Sequence, residues 1–505
     1  MSKTFMVIAV VIFNLYLFPS DIILADQWNV GCGGRPARFG YNSSLGPGDT
    51  TKLWQGGAYS VIAWQPVIDG DLVAVARCFN LNDVLHGTYI YAYDLHSGTE
   101  LWSADLPVDF PSTDWRNHVS AIRDSVVYVS RAGNTNATYL YALNAVDGSQ
   151  LWKSIDLIDE SSTEGLTFAP NGDLVIGNFN QIIRINASDG SNVWTVNRNS
   201  PTSGGSQVAV FNGKVYGWTA GASGPTVNVY DLSTGIYLYQ SNPVGGGYIQ
   251  QVGLLVGPDG TVYAPRSQNN PSTDYLVAFQ DSGGQLIQKW QVELGYVPFS
   301  SFAVGPDGSV YSYSRSGEVI RINPDNGLII DTSQNVQAGI STRMAVDGSG
   351  RIWVSSDDTV YSFNPDLSLR WKEYIQGVSG PALGYDGTLA LCGRGTDIRA
   401  YQGEGNQVNE QPVEIRVSNG NEIQILNNPV NAYAVAVLIL TEPHQVKLNI
   451  YGSDGRLWGS RELGFLLQGR NETTLDISGL PSGIYIVEMC SSGICLNSDR
   501  MIILK

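Results

Sequence analysis

The stretch Asp109-Phe110-Pro111-Ser112-Thr113-Asp114-Trp115-Arg116-Asn117-His118 gathers a carboxylate, an aromatic plate, a cation and an imidazole between Asp114 and His118. Those types at that spacing permit three things. Asp114 and His118 would serve acid–base chemistry, Trp115 would stack a glycan ring, or the loop would only cover a sheet edge. A second pattern is basic. Arg77, Arg131, Arg266, Arg315 and Arg394 each stand six or seven residues beyond a turn glycine, or beyond Ser125 in its place. On one face of a ring they would seat an anionic ligand, whereas paired with neighbouring turn aspartates they would be structural. Since strand side chains alternate, all five need not point the same way.

Other chemistry is thin. The chain has four His and five Cys, with no CxxC and no His-rich cluster of metal-ligand spacing. No GxSxG, HExxH, EF-hand, P-loop or GxGxxG arrangement occurs. Cys490 and Cys495 flank Ser-Ser-Gly between apolar runs, a hairpin spacing that would set them opposite each other as a disulfide candidate. The net charge of −17 over 505 residues repels phosphate backbones and argues against nucleic acid as a partner.

These residues are positioned by a repeat. A turn followed by an apolar strand appears at Asp69–Val73, Asp124–Tyr128, Asn171–Val175, Asn212–Tyr216, Asp259–Tyr263, Asp307–Tyr311, Ser349–Trp353 and Asp386–Leu389. Asp-Gly and Asn-Gly accept the positive φ of a tight hairpin. After each of the first seven comes an alternating strand, a Gly turn and an apolar or aromatic anchor: Trp102, Trp152, Trp194, Tyr239, Trp290, Ile330 and Trp371. The eighth copy lacks its anchor, and an orphan Thr51-Lys52-Leu53-Trp54 stands at the other end of the chain. A blade cannot bury both faces alone, so the ring must close, and an N-terminal strand completing the last blade hides both edges. The expected fold is all-β: an eight-bladed β-propeller closed by an N-terminal strand, followed by a small Ig-like β-sandwich.

The run Tyr141–Trp152 resembles the repeat of pyrroloquinoline-quinone (PQQ)-like propellers, the quinoprotein alcohol dehydrogenase-like superfamily, and Cys32–Trp54 is similar to the lead-in of its secreted members. One unit, Asp347–Pro365, looks more like WD40/YVTN-type sensor repeats. Quinoprotein dehydrogenases imply a vicinal Cys pair, a Trp platform, an Asp base and Ca²⁺ held by Glu and Asn. This chain has no adjacent Cys pair, and nothing singles out Glu164 or Asn178 for the calcium role. The expected cofactor set is none, neither PQQ nor Ca²⁺.

Residues 412–505 differ in composition, with seven basic and nine acidic side chains against 21 and 36 in residues 26–411. Asn428-Pro429, Val446–Tyr451, Asp454–Leu457, Leu475–Tyr485 and the Lys-terminated end Met501–Lys505 resemble the type A sorting domain of type IX secretion. The resemblance implies a Gram-negative cell, the type IX machinery as partner, and a secreted or outer-surface destination. Lys3, the apolar run Phe5–Phe18 and Ile23-Leu24-Ala25 read as a signal peptide. The expected organisation is thus a signal peptide at 1–25, a propeller at 26–406, a linker at 407–411 and a sorting sandwich at 412–505, with no transmembrane segment in the mature chain. The function expected is a binding or scaffold module for an extracellular glycan or protein. Catalysis is left open, with an extracellular carbohydrate-active enzyme and a quinoprotein oxidoreductase as alternatives.

Overall fold

The computed structural model describes residues 28–405 and 421–503, apart from 32, 84, 112–115, 133–137, 159–165, 199–206, 221–222, 245–247, 250–252, 270–271, 295–301, 339–342, 427–429, 431–432, 453–455, 467, 478, 482 and 492–493. The expected signal peptide and linker lie outside these residues, as do Asp114, Trp115 and Cys32. Two compact units divide between Val417 and Ser418.

The first unit holds eight antiparallel sheets among its described residues, one per sequence repeat and numbered 1 to 8 in the chain order of those repeats, with inner strands opening at Val67, Arg116, Leu166, Ala209, Tyr248, Ala303, Arg343 and Ser379. Sheet 1 is typical: Val67–Asp69 innermost, then Leu72–Cys78, Thr88–Asp94 and Glu100–Ala104 outermost. Sheet 8 is built from both ends of the unit. Its strands Ser379–Leu383, Leu389–Cys392 and Ile398–Tyr401 are completed by Lys52–Gly56, with Trp54 opposite Ala400. The inner strand of sheet 8 lies against that of sheet 1, so the ring closes. This is a β-propeller.

Five of the Trp anchors are locks between neighbouring sheets. Trp102 of sheet 1 stacks on Gly148 in the outer turn of sheet 2, where a Cβ would fall 2.6 Å from the indole. Its Nε1 donates to Ala145 O at 2.7 Å. The same pair of contacts joins Trp54 to Gly98 and Leu95 O, Trp152 to Gly190 and Ala187 O, Trp194 to Gly235 and Leu232 O, and Trp290 to Gly327 and Pro324 O. Thus the turn glycine serves twice: it takes a positive φ, 71° at Gly148, and it leaves room for the preceding sheet's indole. Sheet 4 replaces the Trp with Tyr239, whose hydroxyl instead donates to Asp281 at 2.6 Å.

The second unit is a two-sheet sandwich. Glu422–Leu426, Tyr433–Leu440 and Gly469–Asp476 form one sheet, and Leu457–Leu466, His444–Gly452, Gly483–Ser491 and Ile494–Ile503 the other. Ala434, Leu438, Leu448, Leu475, Val487 and Met501 are among the side chains of its own apolar core. Cys490 stands directly opposite Cys495 in the register of the last two strands.

Candidate functional site

A propeller offers its central channel and its two faces for binding, and here the channel has two unlike ends. At the end bearing the inner hairpins, residues 28–42 run around the ring and meet every sheet in order. Trp28 O accepts from Ile68 N of sheet 1 and Asn29 O from Ile122 N of sheet 2, both at 2.9 Å. Pro36 O accepts from Thr167 Oγ1 of sheet 3 at 3.1 Å and from Val210 N of sheet 4 at 2.9 Å. Ala37 O, Phe39 O and Gly40 O take Val256 N, Val304 N and Val346 N of sheets 5 to 7 at 2.8–2.9 Å. Asn42 Nδ2 donates to Leu383 O of sheet 8 at 2.9 Å. The inner edges of eight sheets would otherwise carry unpaired amides into a narrow space, which is costly.

Side chains complete this closure. Arg38, buried at φ 62°, donates from Nε to Val208 O at 2.7 Å and from Nη2 to Leu166 O at 2.8 Å, tying sheets 3 and 4. The Arg35 guanidinium lies 5.1 Å from the Phe39 ring and 5.6 Å from that of Tyr41. Burial lowers its pKa to about 10, so it remains a cation at neutral pH. A glycine of this segment allows close approach: at Gly34 a Cβ would stand 2.6 Å from the Trp28 indole.

At the opposite, loop end, Arg116, Asn117 and His118 open the inner strand Arg116–Arg123 of sheet 2. The His118 ring centroid lies 4.9 Å from that of Trp64, and the Arg116 guanidinium 5.0 Å from the same indole. His118 is only 7% exposed. Burial, aided by Arg116, drives its pKa well below the ordinary 6.5, so the ring is neutral. Among the described residues it has no carboxylate partner, so nothing there makes it the base of an acid–base pair. The loop's Asp109 is engaged elsewhere, accepting from Lys153 Nζ at 2.5 Å and from the Tyr141 hydroxyl.

The arginine row divides, and three of its members are bonded within the fold. Arg77 is fully buried and donates to Ala58 O at 2.9 Å, Gly393 O at 3.0 Å and Gly395 O at 2.6 Å, bolting sheet 1 to sheet 8. Arg131, also buried, pairs with Asp105 at 2.6 Å and donates to the carbonyls of Leu106 and Leu85. Arg266 is buried, lying 4.3 Å over Tyr275 and donating to Gln291 Oε1 at 3.2 Å. Only Arg315 and Arg394 are exposed. The bonds made by a guanidinium depend on which carbonyls surround it, and a one-residue offset in sequence does not reveal that.

Two features were not singled out by sequence. A cleft of about 270 Å³ between sheets 1 and 2 is lined by Asp69, Asp71, Asp94, Leu72, Leu101 and Val146, among others. Burial, then the nearby Asp124, raises the Asp69 pKa to about 6. His96, in the outer turn of sheet 1, reaches across to Asp386 of sheet 8. Cys78 and Cys392 are buried free thiols in different sheets, and burial raises the Cys392 pKa to about 12. Among the described residues no group of three His, Cys, Asp or Glu is placed to hold a metal, and no helix is long and apolar enough to cross a membrane.

No curated protein matches the chain. Its fold is similar to the crystal structure of BamB from Moraxella catarrhalis, with a TM-score of 0.51 and 15% identity over 70% of this chain and 100% of that one. It is similar as well to the computationally designed Ika8 protein, with a TM-score of 0.50 and 14% identity over 70% and 99%. The quinohemoprotein alcohol dehydrogenase ADHIIG from Pseudomonas putida HK5 aligns with a TM-score of 0.39 and 12% identity over 76% and 81%. The repeat family described as outer membrane protein assembly factor BamB matches residues 42–154, 136–287 and 272–465. With those segments running through its repeated sheets, the chain belongs to that PQQ-like repeat family.

Proposed function

We propose that this protein is a secreted or surface-displayed binding and scaffold module, not an enzyme, which engages a partner through the loop face of its propeller. The observation that carries the reading is the closure of the other channel end by residues 28–42, which hydrogen-bond to seven sheets through their backbone and to the eighth through the Asn42 side chain. What remains for a partner is the loop end, where Leu81 and Leu85 stand 41% and 54% exposed. The residues do not fit PQQ: the chain has no adjacent Cys pair, and its buried thiols Cys78 and Cys392 lie in separate sheets. We therefore read it as working without that cofactor and without Ca²⁺. Export is assigned to the signal sequence at 1–25 and to the sandwich as a type IX sorting domain, a reading supported by Asn428-Pro429, Leu475–Tyr485 and the Lys-terminated end.

The test is crosslinking on intact Gram-negative cells that display the chain, comparing wild type, Leu81→Asp/Leu85→Asp and, on the hairpin face, Asp147→Lys. A discrete partner lost only in the loop-face variant is the expected result. A partner retained by that variant, or hydrolysis of envelope glycans by the purified chain, overturns the reading. Deleting residues 412–505 is expected to stop surface delivery while leaving the propeller soluble inside the envelope.

A further inference from the structure

The four Asn-Gly pairs of the chain, at Asn171, Asn212, Asn326 and Asn419, share a reaction that the fold can permit or forbid. The backbone nitrogen of the glycine attacks the asparagine Cγ, and with no glycine side chain nothing hinders the approach. The attack needs that nitrogen free to lose its proton and the asparagine amide free to turn toward it. Asn419 lies outside the described residues. Two of the others are held. Gly172 N donates to Ala169 O at 3.0 Å, while the Asn171 side chain donates to Asp173 Oδ2 at 2.9 Å and accepts from Arg184 Nη2 at 3.1 Å. Gly327 N donates to Asn323 O at 2.9 Å, Asn326 Oδ1 accepts from Leu328 N at 3.0 Å, and Gly327 is buried against the Trp290 indole.

Asn212 is unlike either. With Gly213 it forms the two-residue loop that joins Ala209–Phe211 to Lys214–Thr219 in sheet 4, at φ 46° and 71°. In such a loop the closing hydrogen bonds belong to the flanking pair, here Phe211 and Lys214, and the second loop N–H stays out of the ladder. Both loop residues are exposed, and among the described residues neither the Asn212 side chain nor Gly213 N has a hydrogen-bond partner. Gly213 is tied only through its carbonyl, which accepts from Leu232 N at 2.9 Å, and no atom stands within 4 Å of where its Cβ would be.

We propose that Asn212 is a modification site, where water displaces the side-chain ammonia without an enzyme. Gly213 N gives up its proton to base and bonds to Asn212 Cγ. The Cγ–N bond of the side-chain amide then breaks, and ammonia leaves with a proton in place of the one given up. One water opens the resulting five-membered imide. Attack at Cγ yields aspartate, and attack at the backbone carbonyl yields isoaspartate. Either product adds one negative charge to the hairpin. Isoaspartate also lengthens the main chain by a methylene, which a loop fitted to two residues cannot absorb, so the inner strand pair of sheet 4 is weakened. The inference stands apart from the binding-module reading and needs no ligand.

The experiment incubates the full-length chain at pH 7, 8 and 9, folded and in concentrated urea, and follows the peptides holding Asn171, Asn212 and Asn326 by fragment-ion mass spectrometry. In the folded chain Asn212 is expected to convert severalfold faster than Asn171 and Asn326, and faster at each higher pH, because base must remove the Gly213 proton. In urea the three rates are expected to converge, since the protection of the other two is lost. Conversion of Asn212 no faster than theirs in the folded chain, or the same ratio of rates after unfolding, overturns the proposal. The isolated isoaspartyl form is expected to unfold at lower urea than Asn212→Asp, which carries the charge without the extra methylene. Equal midpoints overturn the consequence drawn for sheet 4.

Discussion

His96 Nε2 lies 2.8 Å from Asp386 Oδ2, a contact between the outer turn of sheet 1 and the inner hairpin of sheet 8. The same ring places Nδ1 3.5 Å from Asp71, which also accepts from the Tyr385 hydroxyl at 3.0 Å. The seam where the two ends of the ring meet is therefore held by a charge cluster as well as by the strand Lys52–Gly56.

That cluster makes the seam sensitive to pH. Burial lowers the His96 pKa, but Asp386, Asp71 and Asp94 outweigh it and hold the pKa above the ordinary 6.5. A raised histidine stabilises fully below its unfolded value and loses the contribution as pH rises through its folded one. With the side chain 37% exposed, the effect is about 1 kcal/mol or less. Thermal melts at pH 6 and pH 8 are expected to show His96→Gln below wild type at pH 6 and level with it at pH 8.

Asp69 moves stability in the same direction with pH, although here it is the charged form that the fold disfavours. Its raised pKa, about 6, means that the folded state binds a proton more readily than the unfolded chain. Stability is lost as pH climbs from about 4 to 6, where the unfolded carboxyl ionises first. Asp69→Asn is expected to raise the melting temperature at pH 7 and to leave it unchanged at pH 3.5. A fall at pH 7 would mean that the carboxylate has a partner which stabilises its charge.

The locks between sheets predict a steep response to a single methyl group. Gly148→Ala meets both the positive φ and the Trp102 indole, and is expected to cost about 2 kcal/mol or more in urea unfolding. Trp102→Ala is expected to cost about 3–5 kcal/mol. Gly70, at φ 57° with no atom within 4 Å of a Cβ, has the strain without the clash, so its Ala variant should lose less.

The arginines separate structural from surface roles. Arg77→Met leaves three carbonyl acceptors without their donor and is expected to destabilise by about 3 kcal/mol or more. Arg315→Met and Arg394→Met, on exposed side chains, are expected to change stability by about 0.5 kcal/mol or less. Equal losses at all five would contradict the geometry.

Cys490 and Cys495 face each other across an antiparallel pair, where Cα atoms stand about 4.5–5.5 Å apart. That separation suits a disulfide. Intact mass measured before and after reduction is expected to differ by two hydrogens, a change abolished by Cys495→Ser.

The repeats were legible because period-two apolar strands and Asp-Gly turns are local signals, and each maps to one sheet. The closing role of Thr51–Trp54 followed from a missing piece, Trp and all. What local pattern did not disclose was the path of residues 28–42. They carry no regular alternation, since their backbone passes from one sheet to the next instead of running along a single strand, and Gly31, Gly33, Gly34 and Gly40 were the trace it left. In the sandwich, Tyr433–Leu440 is all apolar, so no alternation marks it as a strand, and Leu457–Leu466 is interrupted by Gly459 and Gly464. The loop residues fared similarly: His118 was singled out for its type, whereas its ring neighbour Trp64 comes from a segment more than fifty positions earlier.

The encircling N-terminal segment also bears on how the chain can fold. Asn42 reaches Leu383, and Lys52 pairs with Tyr401, so these contacts form only once the last repeat exists. Such long sequence separations raise the entropy of closure and slow the search, as in other β-rich proteins of high contact order. A chain emerging from its N-terminus holds its keystone from the start yet has nowhere to set it. Until the eighth sheet arrives the inner strand edges stay open, and a truncated propeller is left with the sticky rim that the finished one conceals.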